Sequence, residues 1–91
     1  MAVLVDPPMW PVRGLLWSHL VSDVSYEELH AFARRLTIPQ RAFERDHYDI
    51  PAHLYEQVLA CGAEPVSSQE LVRRLTVAGL RQRRRGGPTQ P

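Results

Sequence analysis

Apolar positions along this chain switch between two periods, and the switches mark out its elements. Residues 2–5 (Ala-Val-Leu-Val) are an unbroken apolar run closed by Asp6 and two prolines, the pattern of a strand covered on both faces. Pro7, Pro8, Pro11 and Gly14 predict a loop through residues 7–14. Leu15 to Val21 reads as a second strand, with Trp17, His19 and Val21 alternating against Leu16, Ser18 and Leu20. Ser25-Tyr26-Glu27-Glu28 then forms a capping box, followed by Leu29, Phe32, Ala33 and Leu36 at helical spacing. Pro39 ends that helix, and Gln40 to Asp46 reads as a loop or weak strand around Phe43.

Residues 47–50 predict a third strand. Pro51 opens a second helix with an apolar face of Leu54, Tyr55, Val58, Leu59 and Cys61, stopped by Gly62. Ala63 to Val66 is a fourth short strand. Ser67-Ser68-Gln69-Glu70 caps a third helix that buries Leu71, Val72, Leu75 and Ala78 and ends at Gly79. The expected architecture is one α/β domain over residues 1–80, with about four short strands in a mainly parallel sheet and three helices. Residues 81–91 lack apolar periodicity and predict a disordered, Arg-rich tail.

Composition narrows the function classes. A length of 91 residues suits one domain with a small core. The single cysteine, Cys61, excludes an internal disulfide and a cysteine-rich zinc site. Neither a signal-peptide pattern nor a membrane-spanning apolar run is present, so the expected location is the cytoplasm and no membrane partner is expected. Net charge is only +1, yet all eleven basic residues are arginine and four of them (Arg81, Arg83, Arg84, Arg85) fall in the last eleven positions. The part before Arg81 is net negative.

The chemistry concentrates in Asp46-His47-Tyr48-Asp49. In an extended chain His47 and Asp49 share one face, about 7 Å apart, while Tyr48 and Ile50 point the other way. Asp6 and Asp23 also fall at ends of predicted strands, and in a parallel sheet such ends converge on one edge. Imidazole and carboxylate together suit Zn, Mn, Fe or Ni. Asp6, His19, His47 and Asp49 are therefore candidate ligands of a divalent metal. Asp23, His30 and Tyr48 are candidate acid, base or supporting groups, and Arg41 and Arg45 candidate anchors for a substrate phosphate or carboxylate. His30 lies about 110° from the centre of its helix's apolar stripe, on the boundary. His53 points away from its own helix's stripe and is left out. The plainer reading is that Asp6 and Asp23 serve only as turn or cap residues and that His47 and Asp49 hydrogen-bond each other.

Val-Leu-Val-Asp at residues 3–6, Trp17-Ser18-His19-Leu20 with Asp23, Glu28-Leu29-His30-Ala31, Asp46-His47-Tyr48-Asp49-Ile50 and Gly62-Ala63 together resemble a family of small bacterial and phage proteins, domain of unknown function 4031. The resemblance covers roughly residues 1–80. It implies that Asp6, His19, Asp23, His30, Asp46, His47, Tyr48 and Asp49 are signature positions, and it implies no activity.

Two functional expectations follow from the residues. One is a small metal-dependent hydrolase acting on a phosphoester or nucleotide. The other is a non-enzymatic module that binds nucleic acid or protein through the Arg-rich tail and Trp10. For Trp10 itself, folding back as a lid on the core is the simpler expectation. A structural or self-associating interaction module is a third class, with no residue that marks it.

Overall fold

The computed structural model describes residues 2–82. Its first strand, β1 (Val3–Val5), is buried along its whole length. The chain then passes Pro7 and Pro8 and enters β2 (Trp10–Val12), which turns directly back into β3 (Leu15–Ser22). Arg13 (φ 53) and Gly14 (φ 79) form that turn, and positive φ at both central residues is what a two-residue type I′ hairpin requires. The expected loop over residues 7–14 thus contains a strand at Trp10–Val12. Pro11 is tolerated because, among the described residues, β2 pairs with β3 alone, and an outer strand needs no donor on its open side.

Helix α1 (Tyr26–Arg35) follows, then a 3-10 turn at Gln40–Ala42, β4 (Phe43–Glu44) and β5 (His47–Pro51). A 3-10 turn at Ala52–Leu54 leads into α2 (Tyr55–Ala60), and β6 (Glu64–Pro65) into α3 (Ser68–Val77). Pro51 therefore closes a strand and precedes a 3-10 turn, where a helix start was expected. The two serine caps form as the sequence predicts: Ser25 accepts from the Glu28 amide and Ser67 from the Glu70 amide. Glu28 does not reach back to its cap; its carboxylate accepts from the Ser22 hydroxyl.

The sheet is six-stranded and mixed, in the order β4-β5-β3-β1-β6, with β2 extending the β1 side of β3. Among the described residues, β1 and β6 are the one parallel pair. This corrects the expectation of four mainly parallel strands, for two physical reasons. The nine residues between β1 and β3 are too few for a parallel crossover, which takes a dozen or more. After α1 the chain does cross over, but into β4, and a tight turn at Arg45-Asp46 then reverses it into β5. An Asp46 amide bond to the Glu44 carbonyl (2.6 Å) with Arg45 at φ 58 closes this turn in a three-residue loop.

Side-chain alternation divides the core between the two faces. Val5, Leu20, Tyr48 and Ile50 pack with Leu29, Phe32 and Ala33 of α1 and with Val58 of α2. Leu4 and Val21 pack with Leu71 and Leu75 of α3. The odd-numbered positions Trp17, His19, His47 and Asp49 accordingly lie on the α3 side. Among the described residues, no helix is long and apolar enough to cross a membrane.

Candidate metal centre

His19 and Asp49 are direct cross-strand partners on β3 and β5, and His47 lies two residues before Asp49 on the same face. Strand pairing therefore gathers three ligand-bearing side chains from two strands. One donor atom from each of His19, His47 and Asp49 lies within 4.8 Å of the other two. The His19 and His47 rings are 5.1 Å apart, edge to face.

A buried aspartate stands behind each histidine. Asp6 is fully buried, and its Oδ2 lies 2.9 Å from His19 Nδ1. Asp46, 1% exposed, places Oδ1 2.9 Å from His47 Nδ1. Such a contact fixes the ring and leaves the far nitrogen, Nε2, to face the cluster. His47 Nε2 is 3.0 Å from Asp49 Oδ1. Ligands about 2.1 Å from a tetrahedral ion lie about 3.4 Å from each other. An ion could thus replace the proton shared by His47 and Asp49 with a shift of only a few tenths of an ångström.

Both supporting carboxylates are saturated with donors. Asp6 accepts from the His19 amide (2.6 Å), the Ser68 hydroxyl (2.7 Å) and, at longer range, Trp10 Nε1 (3.4 Å). Asp46 accepts from the Gln82 amide (2.8 Å) and Arg81 Nη1 (3.2 Å). Burial pushes both pKa values up. For Asp6 the His19 ring and amide and Ser68 outweigh it; for Asp46 the Gln82 amide, His47 and Arg81 do. Both carboxylates end below the usual range and stay ionised. Asp49 is lowered first by its bond to His47. His47 is pushed down by burial but raised on balance by Asp49 and Asp46.

Two of the three ligands, His19 and His47, line a cleft of about 250 Å³ whose polar lining also includes Asp6, Arg45, Asp46, Ser68 and Arg81. Trp10 forms one wall. A larger hollow of about 580 Å³ lies beyond Asp49, lined by Trp17, Ile38, Pro39, Pro51 and Leu54. Asp49 lines this hollow and not the smaller cleft, so the ligand cluster sits between the two, with both histidines on the side of the smaller one.

The remaining sequence candidates go elsewhere. Asp23 sits at the opposite end of β1, bonded to the Ala2 amide (2.7 Å) and to Arg74 (2.8 Å). It was expected to converge with Asp6, but β1 and β3 are antiparallel, so their carboxyl ends point to opposite edges. His30 and Tyr48 meet each other on the α1 face, His30 Nδ1 2.7 Å from the Tyr48 hydroxyl, with the sheet between them and the cluster. Tyr48 is 1% exposed, and its pKa is raised by burial, partly opposed by Arg34. Arg45 lines the cleft while bonded to Glu44 (3.1 Å); Arg41 does not line it.

Trp10 is no lid on the core: it is 45% exposed and stands edge-on to His19, with ring centroids 5.1 Å apart. Arg81 and Gln82, expected to be disordered, instead bond to Asp46. Arg83, Arg84 and Arg85 lie outside the described residues. Sequence reasoning missed Asp46, Ser68 and Arg81 as site supports. Adjacency to His47 was a signal for Asp46; Ser68 and Arg81 carried none.

A family model described as a protein of unknown function (DUF4031) matches residues 3–78. The chain belongs to this family. No curated protein and no solved structure matches it. Family membership thus assigns no chemistry, which has to come from the site's own geometry.

Proposed function

We propose that this DUF4031 protein is a small metal-dependent hydrolase of phosphoesters or nucleotide-type substrates. Its metal ligands are His19, His47 and Asp49, while Asp6 and Asp46 orient the two imidazoles. The observation that carries this reading is the paired support: each histidine of a three-residue ligand cluster is backed by a buried, ionised aspartate. Two imidazoles and one carboxylate suit Zn, Mn or Fe better than an ion that prefers oxygen alone. A divalent ion held there lowers the pKa of bound water and clamps phosphoryl oxygens. Arg45, at the cleft wall, supplies a planar donor pair for a substrate phosphate; this favours hydrolysis of an anionic ester over oxygen chemistry at the same donor set. A half-buried Cys61 without a disulfide partner fits a reducing cytoplasm.

The test is metal analysis of protein purified without an affinity tag, together with thermal melting and hydrolysis of an activated phosphodiester. At a hundred-fold excess over Kd, Zn or Mn should raise the melting temperature by about 10 °C or more. Asp49→Asn, at the most exposed ligand, should abolish that rise while leaving the apo melt nearly unchanged. Metal-free protein whose melting ignores both ions overturns the proposal.

A further inference from the structure

Trp10 is held and yet left open. Its indole N–H reaches Asp6 Oδ2 (3.4 Å) and its ring stands edge-on to His19, but 45% of the residue remains exposed. Its cross-strand partner is Trp17, so both indoles project from the same face of the hairpin. Trp17 Nε1 bonds to the Val12 carbonyl (3.3 Å), tying the hairpin's two strands together. The apolar surface continues outward from Trp10 on the same face, with Val12 and Leu15 each about half exposed and Arg13 at the tip. Two successive 5.1 Å steps, Trp10 to His19 and His19 to His47, join this surface to the candidate metal cluster. Arg45 and Arg81 line the same cleft as Trp10.

We infer that Trp10 is a stacking platform for an unpaired nucleobase, and that the substrate class of the site is single-stranded nucleic acid. This rests on the phosphoester reading above. An exposed indole fixed by a hydrogen bond and a ring contact loses little freedom when a base stacks on it. Base stacking is tolerant of sequence and needs a free π-face, which a duplex does not offer. A nucleotide stacked on Trp10 sits at the cleft that Trp10 shares with His19, His47 and the two arginines. The apolar strip beyond Trp10 gives room for a second base, which favours a strand over a mononucleotide. Pro11 on the outer strand removes a donor that pairing with another chain's edge would need, so a second copy adding a strand there is the disfavoured occupant.

The experiment measures binding of fluorescein-labelled hexathymidylate, and of an abasic hexamer with the same phosphates, by anisotropy in EDTA with the full chain. Wild-type protein should prefer the thymidylate, and Trp10→Ala should weaken that binding by about ten-fold while leaving the abasic hexamer unchanged. Trp10→Phe, which keeps a π-face without the N–H, should retain most of the preference and covers the case in which the alanine variant does not fold. Equal binding of the two hexamers by wild type, or equal losses on both in Trp10→Ala, overturns the inference. So does sedimentation that finds a wild-type dimer abolished by Trp10→Ala. Because no metal is present, an absent base preference alongside intact metal-dependent hydrolysis removes this inference alone; an intact base preference without metal binding removes only the hydrolase.

Discussion

Removing the chain after Leu80 should damage the site from behind. Asp46 is buried, and its Oδ2 is satisfied by the Gln82 amide at 2.8 Å and Arg81 Nη1 at 3.2 Å, while Oδ1 holds His47. A hydrogen bond to a buried charged group is worth about 1.5–3 kcal/mol. The Arg81 pair, with a guanidinium more than a third exposed, adds a few tenths of a kcal/mol after solvent screening. Water entering the gap recovers part of this, leaving a net loss of about 2 kcal/mol. For a domain of this size that lowers the melting temperature by about 10 °C. The matched control ends after Gln82, keeps both donors and should melt with the full chain. Loosening Asp46 behind His47 should also weaken metal binding by about 10–100-fold, read by calorimetric titration.

The pH dependence has a fixed sign. Asp46 has a folded pKa below its ordinary value of 3.8, so the docked segment contributes fully above that pH. The contribution is lost as pH falls through the depressed folded value. The gap between the two truncations should therefore be widest near neutrality and close in strong acid. Equal melting of the two truncations at pH 7 refutes the idea that residues 81–82 hold Asp46.

Three further outcomes are expected. Tyr48→Phe removes the hydroxyl that meets His30 Nδ1 at 2.7 Å; it should cost about 1 kcal/mol in urea denaturation and leave metal affinity unchanged, since Tyr48 faces α1. A loss of hydrolysis without a loss of stability would return Tyr48 to the chemistry. Ser18→Ala should be neutral or stabilising in the same assay, because the buried Ser18 hydroxyl has no hydrogen-bond partner among the described residues and alanine removes a desolvated group. Metal affinity should climb with pH through the raised His47 pKa, since a ligating imidazole must be neutral. The apo protein shows the opposite trend: the His47 contribution is complete below 6.5 and fades as pH rises through the folded value. Calorimetry and melting across pH 5.5–8.5 check both, and an affinity flat over that range removes His47 from the ligand set.

Local chemistry carried most of the fold into view. Ser25 and Ser67 cap their helices because a side-chain oxygen three residues ahead of an amide needs no tertiary help. The His47/Asp49 face was legible for the same reason: alternation along an extended strand is local geometry. His19 and Asp6 were nameable as candidates but not as neighbours.

Strand direction was where sequence reasoning failed, and Asp23 went with it. A chain of strand–helix alternations reads as parallel, but direction is set by turns. Arg13 and Arg45 hold positive φ in two of them, and arginine gives no sign of that conformation the way glycine or asparagine does. Once β3 runs against β1, Asp6 meets His19 while Asp23 is carried to the far edge.

By itself the sequence determined which residues could be ligands, which helices form and which strand faces share side chains, because those depend on neighbours a few positions apart. Tertiary structure alone decided that His19 lies opposite Asp49, that Asp6 and Asp46 are buried behind their histidines, and that residues 81–82 close over Asp46. Apart from the adjacent Asp46 and His47, these pairings join positions 13 to 36 residues apart. At such distances loop closure and hydrophobic burial, rather than local preference, select the partner.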